Sequence, residues 1–166
     1  RSPAWRSRVA SDAAVRAMLD VAEEALRSSR GTANGGQVPW VRIEHAELVD
    51  ERDVPRFVEL GVACSVQPCH LLYDIEALER GCPHRLDRVL PLRELIDSGC
   101  TPGEHLWFGS DTPIVRPDPG DSITAATKRQ RVAGAPGGGM SRAIAIDQAI
   151  TEADAWRSFV RAGIRR

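Results

Sequence analysis

Apolar residues recur along this chain at two spacings, and each spacing marks a different kind of element. Between Ala13 and Arg27, Val15, Met18, Leu19, Ala22 and Leu26 return every three or four positions, the period of a helix with one apolar face. Ser11 or Asp12 stands just ahead, where a side-chain oxygen caps exposed amides. Ser28 to Gln37, rich in Ser, Gly, Thr and Asn, reads as a loop. Val38 to Ala46 reads as a strand, with Val41 and Ile43 on one face. Asp50 suits a helix cap, and Val54, Phe57 and Val58 give the next helix its apolar side. Leu60-Gly61 ends that helix, since glycine accepts the left-handed turn. Val62 to Val66 is a short apolar run of the kind buried in parallel sheets.

The chain then reads as irregular through Pro68, Gly81 and Pro83. Pro91 to Ser98 is a short helix, with proline in its first turn and Gly99 past its end. Leu106 to Gly109 is another buried strand, and Asp118-Pro119 opens a helix that runs to about Lys128. Gly134 to Gly139 reads as a flexible glycine-rich loop. Two helices are expected after it, from about Ser141 and Thr151, the second burying Trp156, Phe159 and Val160. Helices and strands alternate, which implies parallel strands joined by right-handed crossovers. The expected fold class is therefore α/β, with about three parallel strands and flanking helices. Arg1 to Arg8 does not read as a strand of such a sheet, and no tandem repeat is visible.

Composition narrows the partners. The 166 residues are 42% hydrophobic and 27% charged, with a formal net charge of −1. That balance points to neither nucleic acid nor an anionic membrane as partner. No stretch approaches the ~20 apolar residues of a membrane span. Arg1 to Arg8 is basic but lacks the apolar segment of a secretory signal. Cys64, Cys69, Cys82 and Cys100 form no Cys-x-x-Cys pair, which argues against a zinc ribbon. Their expected state is free thiol in a reducing cytoplasm.

Three short stretches carry candidate chemistry. In Arg42-Ile43-Glu44-His45-Ala46, His45 sits where an apolar strand ends. In parallel α/β barrels such strand ends build the active site, and a neutral imidazole there can ligate a divalent metal. The alternative is a hydrogen-bonded structural histidine. In Phe108-Gly109-Ser110-Asp111-Thr112-Pro113 a carboxylate follows a strand in the same way. Asp111 can bind a metal and accept a proton from water, or it can serve as a cap or turn residue before Thr-Pro. Ser65-Val66-Gln67-Pro68-Cys69-His70 ends the middle strand, so Gln67 and His70 would face the same mouth or belong to a polar loop. His84 beside Pro83 and His105 ahead of a strand fall away from that mouth. Neither a phosphate-binding glycine loop nor a Gly-x-Ser-x-Gly nucleophile elbow is present.

Taken in order, Arg-Ile-Glu-His-Ala at 42–46, Asp-Val-Pro-Arg-Phe at 53–57, Ser-Val-Gln-Pro-x-His at 65–70 and Phe-Gly-Ser-Asp-x-Pro at 108–113 resemble one family. It is the amidohydrolase 3 group of the metal-dependent amidohydrolase superfamily, which includes the N-substituted formamide deformylases. The resemblance covers Asp12 to Pro119 and continues more weakly to Trp156. It implies a partial TIM-like (β/α) barrel whose three strands match barrel strands six, seven and eight. It implies that His45 is a metal ligand, that Asp111 binds metal or activates the hydrolytic water, and that Gln67 and His70 contact substrate. The implied cofactor is a divalent metal, zinc. The implied reaction is hydrolysis of a non-peptide, amide-like C–N bond in a small molecule.

The family pattern also contains ligands that this chain does not show. A His-x-His pair on strand one and a bridging lysine or acid on strand four would lie upstream of Arg1. A strand-five histidine would precede Asp12, where the chain reads Arg8-Val9-Ala10-Ser11. A catalytic zinc usually takes three protein ligands plus water, so two ligands suggest a C-terminal fragment, inactive alone. The alternative is a non-catalytic remnant or a structural half that pairs with another chain. Open sheet edges would favour self-association. The expected division is a non-family stretch at 1–12, barrel strands six to eight at 13–130, and a glycine-rich loop with C-terminal helices at 131–166.

Overall fold

The computed structural model of the protein describes residues 5–8, 11–30, 40–135 and 138–160. Four short strands form one sheet: β1 (Trp5–Arg8), β2 (Val41–Glu44), β3 (Ala63–Val66) and β4 (Leu106–Phe108). Their order in the sheet is their order in the chain, and every pair is parallel. The three expected strands are therefore present, each within its expected range. The fourth, β1, corrects the sequence reading of Arg1 to Arg8. Its four residues pair with Val41 to Glu44.

Helix α1 (Asp12–Arg30) crosses from β1 to β2. It buries Val15, Leu19 and Ala22, the residues whose spacing predicted it. These pack with Ile43 of β2, Cys64 and Val66 of β3, and Leu106 and Phe108 of β4. Strand side chains alternate between faces, so this set defines the helix-covered face of the sheet. Between β2 and β3 the chain makes a 3-10 turn (Glu51–Asp53), capped by Asp50, and the short helix α2 (Arg56–Glu59). Phe57 is fully buried there, contributing roughly 1.5–3 kcal/mol by area. Asp53 is also buried and accepts from Arg16 of α1 at 2.9 Å and from Arg56 at 2.9 Å. That shared carboxylate ties α1 to the segment after β2. Gly61 ends α2 at φ +63 with nothing near an added Cβ, the turn the Leu60-Gly61 pair suggested.

After β3 the expected irregular stretch is instead a 3-10 turn (Pro68–His70) running into α3 (Leu71–Gly81). Leu71, Leu72 and Ile75 are buried in a second apolar cluster with Val89, Ala125 and Ile144. Helix α4 (Leu92–Asp97) precedes β4. Helix α5 (Pro119–Lys128) begins where predicted, with Asp118 accepting from the Gly120 N–H at 2.9 Å. No helix starts at Ser141; a 3-10 turn (Ile146–Gln148) follows instead, and α6 (Glu152–Arg157) is capped by Thr151. Phe159 packs edge-on against Phe108 with centroids 5.7 Å apart. Trp156 and Val160 are exposed, contrary to the sequence reading, because α6 packs on α5 and buries Ala155 instead, and Val160 lies beyond its end.

Among the described residues all four cysteines are free, with Cys64, Cys69 and Cys100 buried. Burial pushes the Cys100 thiol up to about 11 and raises the Cys64 thiol well above its ordinary value, so neither is poised as a nucleophile. No described helix is long and apolar enough to cross a membrane.

Candidate functional site

The uncovered face of the sheet is polar. Ile43 and Cys64 turn toward the helices, so the alternation sends Arg42 and Glu44 of β2, Ser65 of β3 and Trp107 of β4 to the other side. Glu44, Ser65 and Trp107 lie in register across three strands. Arg42 forms an ion pair with Glu44, and its guanidinium also lies 5.8 Å from the Trp40 ring centroid. These side chains form the floor of a cavity of about 500 Å³ at the C-terminal ends of the strands.

His45, Gln67, Gly109 and Asp111 complete the cavity. His45 directly follows β2 and takes a left-handed backbone conformation, φ 57. The Glu47 N–H donates to the His45 carbonyl at 2.8 Å, which closes a tight turn at the strand end. Asp111 also sits in the left-handed region, φ 54, and its carbonyl accepts from the Ile114 N–H at 2.9 Å. Left-handed residues other than glycine cost energy and persist where the surroundings over-determine them. Here the two turns aim two side chains at one another. His45 Nε2 and Asp111 Oδ2 lie 3.7 Å apart, each side chain about one-fifth exposed (19% and 17%). That gap is too long for a hydrogen bond and short enough for both atoms to face a common guest.

Gln67 is buried at the end of β3, between the two. His70 follows it in the 3-10 turn, and its ring stacks on His45 at 6.2 Å with 23° between planes. The His70 Nε2 atom is buried without a hydrogen-bond partner. His45, Gln67 and His70 share a small inner cavity of about 20 Å³ with Glu47, Val66 and Leu90. All four residues singled out from sequence thus converge at one end of the sheet. His84 is exposed on a turn after α3. His105 accepts from the Thr101 N–H at 3.4 Å at the opposite end of β4.

Sequence reasoning missed the polar floor and the inner wall. Arg42 and Glu44 were legible in principle, since placing Ile43 on the helix face assigns its neighbours to the other. Glu47 was not. Its carboxyl is pushed up to about 7, first by burial and then by Asp74, against an opposing pull from Arg129. Burial in turn lowers the Arg129 guanidinium to about 10, while Glu47 acts to raise it.

The donor chemistry fits a divalent metal in part. An imidazole nitrogen and a carboxylate oxygen meet in a polar cavity, as hydrolytic metal sites require. Among the described residues no group of three or more His, Cys, Asp or Glu is arranged to hold a metal ion.

Comparison with known proteins places this geometry in context. The model of the Amidohydrolase family matches residues 5–163. The chain resembles an uncharacterized metal-dependent hydrolase from Pyrococcus horikoshii OT3, with a TM-score of 0.68 and 28% identity. A second uncharacterized metal-dependent hydrolase, from Pyrococcus furiosus, gives 0.65 and 27%. Each similarity covers 93% of this chain and 27% of the solved one. Protein LONG AFTER FAR-RED 3 of Arabidopsis thaliana is 34% identical over 101 residues, 61% of this chain and 17% of that protein. The chain therefore spans about a quarter or less of the length of these relatives.

Proposed function

The chain belongs to the amidohydrolase family, and from that premise we propose that it is the C-terminal part of a TIM-like barrel that hydrolyses amide-like C–N bonds of small molecules with a divalent metal, zinc. One observation carries the reading: His45 Nε2 and Asp111 Oδ2 converge to 3.7 Å from strands that β3 keeps apart. His45 would hold the metal through Nε2, and Asp111 would share it. A divalent metal held by these residues would supply a Lewis acid for the carbonyl and for the attacking water. Asp111 would take a proton from the attacking water and return it to the departing amine. Gln67 lines the cavity beside them and would orient the substrate, with His70 stacked behind His45 at the inner wall. The ion-paired floor of Arg42 and Glu44 and the indole of Trp107 limit how deep a substrate reaches.

The test is zinc binding by the purified protein and its His45→Ala and Asp111→Asn variants, with hydrolysis of N-formyl and N-acyl amines followed by amine release. Both variants should bind zinc more weakly than the parent. Equal binding by all three would sink the assignment of these residues. A second reading is favoured by the donor count: this chain is a half that gains its remaining ligands from another chain. It predicts zinc below one equivalent and no hydrolysis for the isolated chain. A monomer that holds one zinc and turns over would reject it.

A further inference from the structure

Helix α5 ends at Arg129 in a left-handed turn, φ 57, and the Arg129 side chain is fully buried. A guanidinium in an interior normally meets a carboxylate. This one donates to backbone carbonyls: Nη2 to Val89 at 2.6 Å and Nε to Ile144 at 3.4 Å. Its Nη1 is buried without a hydrogen-bond partner. The carboxyl of Glu47 acts on it electrostatically, opposing the effect of burial.

The Val89 carbonyl leads directly to the mouth. The next residue, Leu90, is also left-handed, φ 52, and its N–H donates to the Glu47 carbonyl at 2.7 Å. The Glu47 N–H in turn donates to His45. Leu90 and Glu47 line the small cavity against which His45 and His70 stand. Three hydrogen bonds thus run from the guanidinium to the backbone of the candidate ligand, through Leu90, whose left-handed backbone needs outside support.

We infer that Arg129 is a positioning residue for His45, holding the Val89–Leu90 segment and through it the turn that aims the imidazole. The inference rests on the reading of His45 as a metal ligand. Arginine suits the task because one planar fork reaches two chain segments at once, 89 and 144, which an ammonium point charge does less well. Arg129 touches no substrate, so its effect must appear in the metal site it supports.

The experiment measures zinc affinity by chelator competition and the visible spectrum of the cobalt-loaded protein. It compares the parent with Arg129→Met, Arg129→Lys and His45→Ala, alongside the melting temperature of each without metal. Arg129→Met, which keeps the volume and removes the donors, should lower zinc affinity about tenfold, the lower end of what such supporting partners supply, and alter the cobalt spectrum. Arg129→Lys should recover part of both. A role confined to stability would lower the melting temperature while the folded variants bind zinc like the parent, and that result overturns the inference. If Arg129→Met does not fold, Arg129→Lys decides: unchanged zinc affinity and cobalt spectrum overturn the inference, while weakened affinity supports it. If the parent binds zinc no tighter than His45→Ala, the metal reading itself fails, and the inference falls with it on a separate measurement.

Discussion

Replacing Glu47 with glutamine should remove a fall in stability that the parent protein suffers as pH rises. The Glu47 carboxyl sits in the wall behind His45. Burial, reinforced by Asp74, lifts it from an ordinary 4.5 to about 7 despite Arg129. The unfolded chain returns the group to water and to its ordinary value. Between 4.5 and about 7 the folded protein therefore keeps a proton that the unfolded chain has lost. The unfolded state then binds fewer protons, so the free energy of unfolding declines with rising pH in that window. At about 1.36 kcal/mol per pH unit, the full interval from 4.5 to about 7 amounts to about 3 kcal/mol. Asp50, Glu76 and Glu94 have lowered values. Their contributions are lost on acidification below the ordinary carboxylate range, with the opposite sign, and they are common to both proteins. Urea unfolding followed by tryptophan fluorescence, with chelator present, gives the stability of parent and Glu47→Gln at about pH 5, 6, 7 and 8. The difference between them should grow with pH by about 2–3 kcal/mol. A difference that stays constant across that range would refute the raised carboxyl.

Three further outcomes follow from the packing. Asp53→Ala should cost about 2–3 kcal/mol, because the buried carboxylate accepts charged hydrogen bonds from both Arg16 and Arg56; a loss under half a kcal/mol in urea unfolding would mean the arginines re-pair with exposed acids at no cost. Phe57→Ala, at a fully buried site in the main cluster, should cost about 3–5 kcal/mol by the same measurement, and a smaller value would show that α2 collapses into the space. Asp118→Ala removes the cap on the Gly120 N–H and should cost about 1 kcal/mol, with Asp118→Asn restoring most of it; failure of asparagine to do so would assign the effect to the nearby Arg116 charge rather than to the cap.

Local signals carried the sequence reading where one segment decides its own structure. The apolar spacing of Val15, Leu19 and Ala22 and the Asp118-Pro119 pair each contain their whole cause within a turn or two of helix. The strand ends at His45, Gln67 and Asp111 were legible for a related reason, since short apolar runs stop where polar residues begin. Strand β1 was not, because Trp5–Arg8 has no apolar run and owes its pairing to Val41–Glu44 far along the chain. Helix α3 was legible but overlooked: Leu71, Leu72, Ile75 and Leu78 recur at helical spacing between the prolines and glycine that drew attention instead. The wall of Glu47, Leu90 and Arg129 joins three distant stretches, and no single stretch of sequence announces a contact of that range.

The sheet order β1-β2-β3-β4 has a consequence for how the molecule is made. Each of β2, β3 and β4 pairs with the strand that precedes it in the chain, so its sheet edge is already present when it leaves the ribosome. Within the sheet, growth can follow the order of synthesis, each strand docking on the last. The mouth is the exception. Its two facing side chains come from the first and last of three successive units, so His45 acquires its neighbour Asp111 only after β4 has been added. The scaffold can therefore be in place, unit by unit, before any chemistry is assembled on it.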